Sequence, residues 1–174
     1  MRKIGQIFRF LIPVIALATL VVFMTGAGRR ERAKLEENKA IVRRNLEEFW
    51  STGNMDIVDE LYATNFVNHD PNHPDVRDLE GLKKWAKAIF AGLPDFHVTI
   101  ERMVAEGDMA AERWRVRATH RGDFYGIPPT GKQVAFTGTT IYRIAGGKVV
   151  ETWWNIDALG IFQQLGFKLA PAEE

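Results

Sequence analysis

Cysteine is absent from the 174-residue chain, which excludes disulfides, thiolate nucleophiles and cysteine-ligated zinc while leaving the cellular compartment open. Charge is absent from a second stretch, Phe10 to Gly28. Those nineteen residues fall within the roughly 17 to 25 that a helix needs to cross a bilayer. Internal repeats and low-complexity tracts are missing as well. So is any basic surplus beyond the N-terminus: residues 1 to 34 carry seven basic groups against one acid, the remainder 16 against 21. A globular part with net charge −5 repels phosphate backbones, which excludes nucleic acid as a partner. The basic flanks suit lipid headgroups instead.

Residues 1–30 are therefore expected to form an N-terminal transmembrane anchor or an uncleaved signal, 31–170 an α+β domain, and 171–174 a tail. The expected location is the membrane, with the domain on the extracytoplasmic, periplasmic side.

Beyond the anchor, hydrophobic spacing organises the chain. Leu35, Val42, Leu46, Phe49 and Trp50 recur at helical intervals over 30–50, with Arg and Glu on the other face. Residues 56–62 read as a second, short helix burying Ile57, Val58 and Leu61. An extended piece from Phe66 enters the loop His69-Asp70-Pro71-Asn72-His73-Pro74-Asp75. Its histidines and aspartates lack the rigid spacing of a metal site and read as a polar loop with Asx turns. His69, at the strand end, can still point inward. Asp78 is placed to N-cap a third helix carrying Leu82, Trp85, Ala86, Ile89 and Phe90, stopped by Gly92-Leu93-Pro94.

From there the period is two, giving four strands in meander order at 96–105, 109–120, 132–144 and 148–156. On the second, Trp114, Val116, Ala118 and His120 oppose Arg113, Arg115 and Arg117. On the third, Val134, Phe136, Thr140, Tyr142 and Ile144 oppose Thr137, Thr139 and Arg143. The fourth places Val149, Glu151, Trp153, Asn155 and Asp157 on one side and Val150, Thr152, Trp154 and Ile156 on the other. Large apolar groups on both sides put that strand at the centre of the sheet. At Asp157 the period turns helical, with Gly166 as the stop. Helices followed by an antiparallel meander and a short closing helix define an α+β domain, one sheet face covered by helices.

Three runs carry a family resemblance: Phe66 to Pro71; Thr119-His120-Arg121-Gly122-Asp123-Phe124-Tyr125-Gly126-Ile127-Pro128-Pro129-Thr130-Gly131-Lys132; and Trp153 to Gly166. Together they resemble the SnoaL-like polyketide cyclase (ester cyclase) family of the nuclear-transport-factor-2-like superfamily, over about residues 36–168. The resemblance implies a cone, a curved antiparallel sheet packed on three N-terminal helices, here with one N-terminal transmembrane helix added. It also implies a pocket that works without cofactor or metal, in which an aspartate, by motif Asp157, acts as acid/base in an intramolecular aldol closure. The histidine that assists in those enzymes has no counterpart in Ile141-Tyr142-Arg143-Ile144. Related folds dimerise through the outer sheet face, where Arg113, Arg115 and Arg117 meet Glu101.

The candidate catalytic residues are thus Asp157, His120 and His69. Asp157 is either a base in an apolar pocket, its pKa raised by Trp153 and Tyr142, or the N-cap of the last helix. His120 and His69 are either pocket acids or side chains satisfied by a neighbouring carbonyl. Tyr142 and Asn155 are candidates to orient a carbonyl oxygen, and Trp114, Trp153, Phe136 and Trp85 to wall the pocket. Two functions follow: a membrane-attached cyclase or isomerase acting on a small hydrophobic carbonyl compound, or a non-catalytic accessory subunit held by its span against other membrane subunits.

Overall fold

The computed structural model describes residues 26–168 and residue 170. Most of the expected 10–28 span and the 171–174 tail lie outside them. Among the described residues no helix is long and apolar enough to cross a membrane.

The first helix, α1, is helical over 26–44 and closes in a π-helical turn, Asn45–Trp50. Its buried positions are Asn38, Val42, Asn45, Leu46 and Phe49, so two amides share the apolar stripe. The Ser51 N–H reaches back to the Leu46 carbonyl at 2.9 Å. This widened turn, of a kind often found at functional sites, lets Leu46 and Trp50 both face the interior cavity. The second helix, α2 (Val58–Leu61), is shorter than expected. Tyr62 already begins a strand, β1 (Tyr62–Asn68). In α3 (Leu79–Gly92), Asp78 accepts from the Gly81 N–H at 2.8 Å and caps the helix as its position suggested.

Strands β2 (His97–Glu106), β3 (Met109–Thr119), β4 (Gln133–Ala145) and β5 (Lys148–Ile156) form the expected antiparallel meander. The sheet has a fifth member, because β1 pairs in parallel with β5, giving the order β1-β5-β4-β3-β2. The middle strand is therefore β4, not β5. Arg113 and Arg115 both bond Glu101 on the outer face, at 2.9 and 2.7 Å.

The pairing of β4 with β5 slips between Arg143 and Ile144: Arg143 stands opposite Glu151, and Ile144 opposite Val149. A single extra residue inverts the alternation beyond it. Val149, Thr152 and Trp154 are buried on the inner face, Trp153 is only half-buried, and Asn155 is exposed. Simple alternation grouped Val149 with Trp153 and Asn155; the bulge separates them.

On the inner face Trp114 stands opposite Gly138. A Cβ at Gly138 would overlap the Trp114 ring, so this pair requires glycine. The last helix, α4 (Ala158–Leu165), ends in a Schellman motif at Gly166, φ 110°. There the Gly166 N–H bonds Gln163 O and the Phe167 N–H bonds Phe162 O. Gln164 clasps both backbone groups of Ala135, at 2.8 and 2.9 Å, fixing α4 to the edge of β4.

Candidate active site

A cavity of about 280 Å³ lies between the inner sheet face and α1, α3 and α4. Its wall is mostly apolar. Trp85 and Trp154 stack at 5.1 Å and 26°, while Trp114 donates its indole N–H to Thr140 Oγ1 at 2.9 Å, so both walls are held rigidly.

One end of the cavity is polar and fully enclosed. Tyr62 donates its hydroxyl to Asn45 Oδ1 at 2.9 Å, the Asn45 amide donates to the Tyr142 oxygen at 3.3 Å, and Tyr142 donates to Glu112 Oε1 at 2.7 Å. All three bonds run in one direction, so each polarises the next. Glu112 lines the cavity at 2 % exposure, and its second oxygen, Oε2, has no partner among the described residues. Burial pushes its carboxyl up from 4.5 to about 8, overcoming the lowering effect of the Tyr142 hydrogen bond. Burial, then the Glu112 charge, raises Tyr142 well above the ordinary phenol value. At neutral pH, then, Glu112 holds its proton. With Oε1 accepting from Tyr142, that proton sits on Oε2, and the carboxyl is a donor inside an apolar chamber.

The other end is the mouth. Here Asp70 Oδ2 meets His73 Nδ1 at 2.7 Å, and His73 Nε2 meets the Tyr125 hydroxyl at 2.8 Å. Trp85 donates its indole N–H to the same hydroxyl at 3.1 Å. Asp70 also accepts from the Asn72 backbone N–H at 2.8 Å, an Asx turn that sets the three-residue spacing. Tyr125 comes from the long loop, where Phe124 and Ile127 pair around Tyr125 (φ 53°) and Gly126 (φ 76°). A tyrosine in that region costs roughly 1 to 3 kcal/mol. The loop is pinned to the end of α3 by the Arg121 and Gly122 N–H groups, which both bond the Gly92 carbonyl. A Cβ at Gly122 would collide with the Ala91 carbonyl.

The residues expected at the site divide sharply. Tyr142, Trp114, Phe136 and Trp85 line the cavity. Asp157, expected inside it, is exposed instead and accepts from the Gly160 N–H at 2.9 Å. It adopts the capping geometry because the chain leaves β5 at that residue and must satisfy the first amides of α4. His69 is exposed on the outer face, stacked on Trp153 at 4.6 Å and bonded to Glu151 at 3.1 Å. Trp153 and Asn155 lie on the opposite face of β5 from the buried Thr152 and Trp154, and His69 stacks on that face. His120 is fully buried but behind the long loop, with Nδ1 beside Thr130 Oγ1 at 3.0 Å. Reasoning from sequence missed Glu112, Asn45, Tyr62, Asp70, His73 and Tyr125. For Glu112 the signal was present: it lies two residues before Trp114, on the apolar side of its strand.

The profile of the SnoaL-like polyketide cyclase family matches residues 40–165. Among solved structures, a candidate polyketide cyclase from Acidithiobacillus ferrooxidans is 34% identical, with TM-score 0.68, covering 74% of this chain and 94% of its own. IdmH, a candidate polyketide cyclase from Streptomyces antibioticus, is 30% identical, with TM-score 0.67, covering 75% and 99%. A candidate SnoaL-like polyketide cyclase from Jannaschia, at 24% identity, TM-score 0.71 and coverage of 78% and 95%, shares the fold. No curated protein matches the sequence.

Proposed function

The chain belongs to the SnoaL-like polyketide cyclase family, and from that premise we propose that it is a cofactor-free acid–base enzyme acting on a small hydrophobic carbonyl compound. The observation that carries this reading is the one-way hydrogen-bond chain from Tyr62 to Glu112, a residue that lines the apolar cavity and whose buried Oε2 has no partner among the described residues. Such an oxygen is costly to bury alone. A substrate carbonyl that accepts from Oε2–H satisfies it, and is polarised in return. Polarisation acidifies the neighbouring C–H bonds, which is the common first requirement of isomerisation and of ring closure by aldol attack. The cavity volume, about 280 Å³, lies at the lower limit of ligand pockets, which run from roughly 300 Å³ upward. It suits a ketone of one or two rings.

The test uses 2-tetralone as probe with the full chain in mild detergent. Binding is followed by tryptophan fluorescence, and exchange of the α-protons in D2O by proton NMR. Replacing Glu112→Gln is expected to slow exchange by about a hundredfold and to change the dissociation constant by less than about threefold. Failure of the wild type to bind would overturn the reading. Binding without exchange would favour the non-catalytic class, a ligand-binding accessory subunit. The uncharged run from Phe10 to Gly28 with its basic flanks supports attachment to a bilayer, for which retention of the chain on carbonate-washed membranes is the check.

A further inference from the structure

Resting on the carbonyl-pocket reading, we propose that His73, oriented by Asp70, is the general base that works opposite Glu112. The Asp70 side chain is 2 % exposed, and its Oδ2 lies 2.7 Å from His73 Nδ1. Its other oxygen is occupied by the backbone and side-chain N–H groups of Asn72, at 2.8 and 3.2 Å. A buried carboxylate held this way fixes the proton on Nδ1 and leaves the lone pair on Nε2. The ring packs edge-on against the stacked Trp85–Trp154 pair, at 5.1 and 6.1 Å between centroids, so that lone pair has a set direction. His73 lines the same cavity as Glu112. Base and acid thus open on one cavity whose wall is otherwise mostly apolar.

The group that meets Nε2 is exchangeable. Tyr125 donates its hydroxyl there from an exposed turn with a positive φ. A substrate entering at the mouth takes the place of that hydroxyl, and its C–H then faces Nε2.

The chemistry closes without any further reactant. Nε2 takes a proton from the carbon beside the carbonyl, the C–H pair becomes the C=C bond of an enol, and the carbonyl π pair moves to oxygen. That oxygen takes the Glu112 proton. Where the ketone carries a C=C bond one carbon further on, the enol is a dienol. Return of the His73 proton to its far carbon then shifts the double bond, the enol O–H returns its proton to Glu112 as the carbonyl re-forms, and the product is the conjugated isomer. Attack of the enol carbon on a second carbonyl of the same molecule gives a ring instead. In the ring-closing case the new alkoxide takes the His73 proton and the enol O–H returns its proton to Glu112. Asp70 touches no substrate and is a positioning residue.

The experiment compares α-proton exchange of 2-tetralone in D2O, and its binding by fluorescence, for the full-length wild type, His73→Asn, His73→Gln, Asp70→Asn and Tyr125→Phe. Both His73 variants are expected to lose about a hundredfold or more in exchange with binding changed by less than about threefold. Asp70→Asn is expected to lose about tenfold in rate, with binding unchanged, and to shift the ¹⁵N signals of His73 away from the Nδ1–H tautomer. Tyr125→Phe is expected to raise exchange about two- to tenfold, since Nε2 no longer gives up a hydrogen bond. Exchange within about threefold of wild type in the folded His73 variants overturns the assignment. So does an Nε2–H tautomer in the wild type, or a loss in Tyr125→Phe as deep as that in His73→Asn. A wild type whose exchange needs Glu112 and ignores His73 overturns the base and keeps the carbonyl pocket. One that neither binds nor exchanges overturns both.

Discussion

Replacing Glu112→Gln should make the protein more stable, and increasingly so as pH rises. In the folded chain this carboxyl titrates at about 8, against 4.5 for an unperturbed glutamate. Between those values the folded state keeps a proton that the unfolded chain has released. Stability therefore falls as pH rises through the window and levels off above the folded value. At about 1.4 kcal/mol per pH unit, the loss is about 3 kcal/mol by pH 7 and about 5 kcal/mol once the carboxyl is ionised. Glutamine is similar in size, can accept from Tyr142 through its oxygen, and has no proton to lose. Urea denaturation of wild type and variant at pH 5, 7 and 9 measures the difference. The lowered carboxylates Glu48, Asp95, Glu101 and Glu151 act in the opposite sense, lending stability that is lost as pH falls below their unfolded values. They are common to both proteins and cancel. The expected gap is small at pH 5 and several kcal/mol at pH 9. A gap independent of pH would refute the buried, proton-holding carboxyl.

The same carboxyl sets the pH dependence of the reaction: α-proton exchange of 2-tetralone, corrected for the rate in buffer, should decline as pH rises through about 8, where Glu112 loses the proton it donates. Asp157→Ala should cost about 1 kcal/mol by loss of the cap on α4, measured in urea, with exchange left within about twofold; a hundredfold loss of exchange would return Asp157 to the chemistry. Gly138→Ala should push the Trp114 ring into the cavity, lowering stability by roughly 1 to 3 kcal/mol and weakening ketone binding by fluorescence titration.

Much of the fold was legible because it is written in local signals. Asp78 and Gly166 marked helix ends by chemistry that acts within one turn, and the alternation around Trp114 and Phe136 identified the inner sheet face correctly. The order of helices and meander strands supplied the α+β architecture and the resemblance the cone, and four of the nine expected site residues do line the cavity. The errors have physical causes. A bulge between Arg143 and Ile144 inverts the face of everything after it in β5, and neither composition nor period announces a bulge, so Trp153 and Asn155 were placed on the wrong side. Asp157 presented two competing roles, and the local demand of the α4 amides won. His73 is invisible as a site residue in sequence because its partners are Asp70, three positions before, and Tyr125, 52 positions after. Only the folding of the long loop over the mouth joins them. Asn45 in α1 and Glu112 in β3 could have been found, each being a polar group on an otherwise apolar face.

The most direct measurement is the infrared difference spectrum of the full chain at pH 7 on adding 2-tetralone, recorded for wild type and for Glu112→Gln. A protonated carboxyl band that shifts when the ketone binds, together with a ketone C=O band lowered in frequency, is the result expected, with the carboxyl band missing from the variant. A spectrum with only carboxylate bands, or a carboxyl band indifferent to the ketone, would contradict the claim that Glu112 donates its proton to a bound carbonyl.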